Sequence, residues 1–183
     1  MYLKSLKIFA LLILVILNAS AQHNNISIGP EINLPSGNST NKSPIGFGGY
    51  FKGEMGLSQK FYITGSAAIE SFLGKKFLNN RAATLTYLPL KLGIKYYMDK
   101  DFYFEGQTGA SFQMNSDAKA ALAGSLGAGS FIKNRSNNNQ LDIGLRYEGW
   151  SGSKLIMNGS TAVGSVNTTF GFFSLRAGYV FNL

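Results

Sequence analysis

The 183-residue chain has no cysteine, a single histidine (His23), a single tryptophan, and only 14% charged residues. Without cysteine, a disulfide scaffold and a thiolate metal site are excluded. Long apolar runs are also missing. The only one is a ten-residue stretch over residues 8–17 (IFALLILVIL), half of the ~20 that a spanning helix needs. The mean hydropathy is close to zero, too low for a helical membrane bundle. Yet so few charges remain that an ordinary soluble surface is hard to cover. With 45% hydrophobic residues, 14 Phe and 9 Tyr, the chain is also too apolar to be disordered. Its length suits one domain.

What is present begins with an address. Residues 1–21 read as a signal peptide: Lys4 and Lys7 give a basic start, the run over 8–17 follows, and Ala19-Ser20-Ala21 is a small-x-small cleavage site. Cleavage leaves Gln22 as the first residue and, with Lys4 and Lys7 gone, lowers the formal charge from +8 to +6. The domain division expected is therefore 1–21 signal peptide and 22–183 barrel.

Beyond residue 22 the pattern has period two, broken by polar turns, as in half-exposed antiparallel strands. Ile26, Ile28, Ile32 and Leu34 alternate with Ser27, Gly29, Glu31 and Asn33. Leu88, Leu90, Leu92 and Ile94 alternate with Lys91, Gly93 and Lys95, and Phe173, Leu175, Ala177, Tyr179 and Phe181 with Ser174 and Arg176. Eight such strands fit. Their connections alternate between short (58–60, 99–101, 133–139) and longer (36–43, 72–83, 115–119, and a Gly/Ser-rich loop over 151–165). An even strand count with this rhythm predicts an all-β, eight-stranded antiparallel up-and-down transmembrane β-barrel.

Charge sorting supports the membrane version, and the signal peptide and terminal strand favour it over a soluble lipocalin-like barrel, which would hold apolar residues inside and charges outside. Glu31, Glu54, Glu70, Glu105, Asp142 and Glu148 share the polar face with Lys52, Lys91, Lys95, Arg146 and Arg176. Six acids and five bases on one face predict a nearly neutral salt-bridge network in the lumen. Eight strands leave an interior that side chains alone can fill, so a polar core is expected rather than a channel. Glycines such as Gly46, Gly48, Gly93, Gly109 and Gly144 make room for the long charged side chains. The aromatics Phe61, Tyr62, Tyr96, Tyr97, Phe102, Tyr103, Phe104, Tyr179 and Phe181 lie beside the short turns or the C-terminus, where an interfacial girdle belongs.

The segment over 87–98 (YLPLKLGIKYYM), followed by Asp99-Lys100 and FYFEG over 102–106, resembles the central hairpin of small outer-membrane β-barrel proteins, of which the PorT-like and OmpA-type barrels of Bacteroidetes are the nearest match. Gly124–Gly129 with LDIGLRYEG over 141–149 resembles the next hairpin, and AGYVFNL over 177–183 a closing strand. One departure is that Leu183 stands where many such proteins end in Phe. The resemblance spans most of the mature chain. It implies the outer membrane of a Gram-negative cell envelope, and names no activity.

Signs of chemistry are few. His23 sits in the tail before the first strand, so the embedded histidine base that barrel lipases and proteases use is missing. Glu54 and Glu105 point inward, but beside Lys52, Lys91 and Lys95 they read as structural pairs. Asp99 and Asp101 are two carboxylates where calcium takes 6–8 oxygens. No catalytic, cofactor or metal site is expected. The basic excess lies in the longer loops, where Lys42, Lys75, Lys76, Arg81, Lys119 and Lys154 are suited to anionic lipopolysaccharide head groups.

The expected function is a non-enzymatic, structural or interaction role in the outer membrane: membrane integrity, loop-mediated adhesion, or help to an envelope complex. The alternatives are narrow-pore or small hydrophobic-ligand transport, and an envelope enzyme acting on lipid. Expected partners are outer-membrane lipid, lipopolysaccharide, the barrel assembly machinery and an unidentified envelope protein, with no nucleic acid. No domain is expected after Leu183, so cell-wall anchoring of the OmpA type has no carrier.

Overall fold

The computed structural model describes residues 24–77, 80–81, 83–115, 120–133, 140–158 and 161–183, with only the backbone described for 77, 80, 81, 133, 153–158 and 161–168. Its strands are β1 (Asn25–Ser36), β2 (Gly46–Gly56), β3 (Phe61–Phe72), β4 (Lys76–Phe77), β5 (Asn80–Arg81), β6 (Leu85–Tyr97), β7 (Phe102–Gln113), β8 (Ala121–Lys133), β9 (Gln140–Asn158) and β10 (Thr161–Asn182). Eight of them close a barrel in the order β1-β10-β9-β8-β7-β6-β3-β2, while β4 and β5 form a separate two-stranded hairpin. All barrel pairings are antiparallel. The seam closes between β1 and β10, from Asn25↔Asn182 to Ser36↔Gly171, so no edge strand is left with unpaired backbone.

Side-chain parity is inverted relative to a soluble barrel. Glu31, Glu70, Glu148, Lys91 and Lys95 are buried, whereas Leu92 is 68% and Leu126 74% exposed. A closed sheet satisfies its backbone internally, so an apolar exterior is compatible only with hydrocarbon around it. The strand count, the closure and the two faces expected from alternation are all present.

Three local expectations need correction. The Gly/Ser-rich segment over 151–165 is not an open loop: β9 runs on to Asn158 and β10 begins at Thr161, paired from Thr161↔Asn158 downward with an irregularity between Ala162 and Gly164. Between the paired Asn158 and Thr161 the sequence reads Gly159-Ser160, a dipeptide suited to a two-residue hairpin, which the glycine and serine content around it obscured. The connection over 72–83 carries the β4–β5 hairpin, with Lys76 paired to Arg81. Among the girdle aromatics, Phe61, Phe102, Phe104, Tyr179 and Phe181 do face outward, but Tyr97 and Tyr103 pack inside the barrel with Phe131. Each shares parity with a lumen charge, Tyr97 with Lys95 and Tyr103 with Glu105.

Between β1 and β2 the chain turns through a short 3-10 segment, Gly37–Asn41. Gly37 takes φ +55° there, a left-handed conformation that glycine adopts without steric cost. Residues 1–23 (predicted signal peptide and His23) and 134–139 (most of the third short turn) lie outside the described residues.

Candidate functional site: a charged lumen between two aromatic clusters

All eleven charged residues expected on the inner face point into the lumen, in two layers. In the layer nearer the short turns, Lys52 Nζ lies 2.9 Å from Asp142 Oδ2, 3.0 Å from Glu54 Oε1 and 4.0 Å from Glu105 Oε2. Lys95 pairs with Glu54 and lies 3.7 Å from the centre of the Tyr103 ring. Two tyrosine hydroxyls complete the acceptors. Tyr103 donates to Asp142 at 2.5 Å and Tyr97 to Glu54 at 3.1 Å.

In the layer nearer the long loops, Arg176 Nε donates to Glu31 Oε2 at 2.7 Å. Arg146 Nη2 is 2.8 Å from Glu148, 3.5 Å from Glu31 and 3.6 Å from Glu70. Lys91 pairs with Glu148, whose other oxygen accepts Trp150 Nε1 at 2.7 Å. The register explains how Glu31 and Glu70 approach one another. Both sit opposite Gly48, Glu31 from β1 and Glu70 from β3. A Cβ at Gly48 would stand 2.7 Å from Ile69 O and 2.9 Å from Glu31 Oε1, so a larger residue would press on the neighbouring backbone as well as on that carboxylate.

Each end of the lumen is stopped by rings that the sequence reading did not place inside the barrel. Toward the long loops, Phe72, Trp150, Phe172 and Ala123 are fully buried, with Tyr87 and Phe170 against them. The Phe72 ring is edge-on to Trp150 at 5.7 Å and to Phe172 at 5.1 Å. Toward the short turns stand Tyr103, Phe131 and Val180, with Tyr97. Parity was the available signal: Phe72 follows Glu70 by two residues, Trp150 follows Glu148, and Phe172 precedes Ser174. One void between the layers measures about 20 Å³, bordered by Tyr50, Glu105, Arg146 and Arg176, about enough for one water molecule.

Glu54 and Glu105 do not form an acid pair on a substrate cleft; both lie around Lys52. Among the described residues no group of three or more His, Asp or Glu is placed to hold a metal ion. Of the predicted loop bases, Lys42, Lys75 and Lys76 are exposed at the long-loop rim. The side chains of Arg81 and Lys154, and all of Lys119, lie outside the described residues.

No family model and no curated protein matches the sequence. Solved structures do. Ail, the attachment invasion locus protein of Yersinia pestis, aligns with TM-score 0.53 at 17% identity, over 87% of this chain and 99% of Ail. OprG of Pseudomonas aeruginosa aligns with TM-score 0.52 at 16% identity over 88% and 96%. The Neisserial surface protein NspA aligns with TM-score 0.52 at 10% identity over 86% and 95%. The fold is that of a small outer-membrane β-barrel. These identities carry the likeness no further than the fold. Within it, a lumen filled by ion pairs and closed by rings leaves the outer loops, the turn-side mouth and the lipid-facing wall as the surfaces able to meet a partner.

Proposed function

We propose that the protein is an exported, non-enzymatic outer-membrane barrel whose role is structural or interactive and is carried by its exterior. The observation that carries this reading is the stopped lumen: among the described residues, two ion-pair layers stand between two ring clusters. Such an interior counts against a pore. Among the described residues it also offers no nucleophile and base beside an open cleft, which counts against a lipid-modifying enzyme.

The long-loop rim supplies the interaction. Lys75 N donates to Lys42 O at 3.3 Å and Lys75 Nζ to Thr40 O at 3.4 Å, so two loops are tied and Lys42, Lys75 and Lys76 gather at one place. Below them Phe47 and Ile69 face outward, about half exposed. Cations above an apolar wall suit a phosphorylated lipid such as lipopolysaccharide. Ail has been solved in complex with the heparin analogue sucrose octasulfate, which lends the polyanion reading support from a barrel of the same fold. Residues 1–21 act as the signal peptide in this reading, and the barrel assembly machinery inserts the mature chain.

The test combines location and conductance. Outer-membrane fractionation, heat-modifiable gel migration and silence in a planar bilayer are expected. Recovery from the soluble periplasm, or steady single-channel currents, overturns the proposal.

A further inference from the structure

The turn-side mouth of the barrel holds a cavity that the lumen network does not use. It measures about 790 Å³, within the range of ~300–1,000 Å³ typical of ligand sites. Its floor is aromatic. Tyr97 and Phe131 lie nearly parallel, 13° apart with ring centres at 5.9 Å, and Tyr62 stands edge-on to Tyr97 at 4.8 Å. Beneath them Tyr103 and Val180 complete the cluster, so a guest in this cavity is held and not passed through.

The rim is of different chemistry. Amides come from Asn25 and Gln140, and cations from Lys60 and Lys100. The two lysines stand on adjoining turns, and Tyr97 N donates to Lys60 O at 2.8 Å, tying the first turn to β6. Among the described residues the carboxylate lining this cavity is that of Asp99, which accepts from Lys100 N at 2.7 Å. The described residues offer the buried Asn25 Oδ1 no hydrogen-bond partner.

Flat apolar faces take the C–H face of a pyranose ring or the methyl of an acetamido group. Amide side chains match the hydroxyls and the acetamide, and ammonium groups attract a carboxylate. We propose that this mouth binds an acidic, N-acetylated saccharide, with its ring against Tyr62 and Tyr97 and its carboxylate at Lys60 and Lys100. In the orientation usual for outer-membrane barrels the short turns face the periplasm, where cell-wall glycan carries both groups.

The test uses the full-length barrel folded in detergent micelles, titrated calorimetrically with the disaccharide of N-acetylglucosamine and N-acetylmuramic acid, and separately with neutral chitobiose. Saturable binding of the acidic disaccharide with Kd below about 1 mM is expected, and Tyr62→Ala should weaken it about tenfold. Lys60→Ala with Lys100→Ala should weaken the acidic sugar and leave chitobiose unchanged. Gel migration before and after heating reports whether each variant folds. Should Tyr62→Ala fail to fold, tyrosine ring signals of the unaltered protein, followed by NMR during the titration, decide the matter. Absence of saturable binding, ring signals that do not move, equal affinity for both sugars, or binding indifferent to these substitutions overturns the proposal.

Discussion

Lys52 on β2 donates to Asp142 on β9 at 2.9 Å, although β1 and β10 separate the two strands around the barrel. This contact spans the lumen and not a neighbouring ladder. It therefore restrains the barrel cross-section in a way that no backbone hydrogen bond can. Glu54 and Glu105 approach the same ammonium, so one cation serves three carboxylates.

Lys52→Met removes that cation and leaves three buried acids short of a partner. A loss of about 3–5 kcal/mol is expected, the usual cost of breaking a buried pair from one side, measured by urea unfolding in lipid vesicles. Adding Asp142→Leu should return part of it, because one of the stranded carboxylates goes with its partner. A single variant as stable as the parent would mean that water reaches this layer.

At the long-loop end, Phe72 meets Phe170 at 4.8 Å as well as Trp150 and Phe172. Phe72→Ala should cost about 3–5 kcal/mol, as for other buried phenylalanines. The same change loosens the packing around the sole tryptophan, so Trp150 emission should shift to the red. Parent Trp150, 3% exposed and inside the barrel, should resist quenching by brominated lipid. Strong quenching in the parent would place that indole on the outer wall.

Much of this was legible because lipid enforces a simple rule. A charge at mid-membrane must point inward, so Lys91 and Lys95 set the parity of β6 and Arg176 that of β10. Closure followed from the same medium, because a sheet with an open edge would leave backbone groups unpaired in hydrocarbon. The stoppers at each end were harder to see, since an aromatic ring is at home on either face. Tyr97 and Phe104 look alike in the sequence, and only distance in residues from Lys95 or Glu105 separates the inward one from the outward one. The reach of β9 and β10 past the rim was hidden for another reason. Outside the membrane band neither face must be apolar, so alternation fades even though the ladder continues from Phe170↔Trp150 to Thr161↔Asn158.

On the outer wall the rule can be probed by its violation. Leu92→Arg should cost about 2–4 kcal/mol in a bilayer, the penalty for a base near the midplane of a barrel wall, although the residue is highly exposed. Gln59→Arg, on an exposed turn at the end of the barrel, should change the unfolding free energy little. Equal effects from both would remove hydrocarbon from the picture.

Reversing the rim charge tests the lipid partner. Lys42→Glu with Lys75→Glu and Lys76→Glu should weaken lipopolysaccharide binding by more than the loss of about 1 kcal/mol per lysine seen near anionic surfaces. The parent's binding should decline as salt rises. Binding untouched by the triple reversal would assign recognition to another part of the molecule.

Spin labels placed one at a time at residues 90 through 95, with collision rates measured against oxygen and a water-soluble nickel chelate in a bilayer, examine the inverted barrel most directly. Oxygen contact should peak at Leu90, Leu92 and Ile94 and fall at Lys91, Gly93 and Lys95, with the nickel reagent excluded from the three peaks. A reversed alternation, or nickel contact at Leu92, would contradict a wall that turns its leucines to hydrocarbon and its lysines to the lumen.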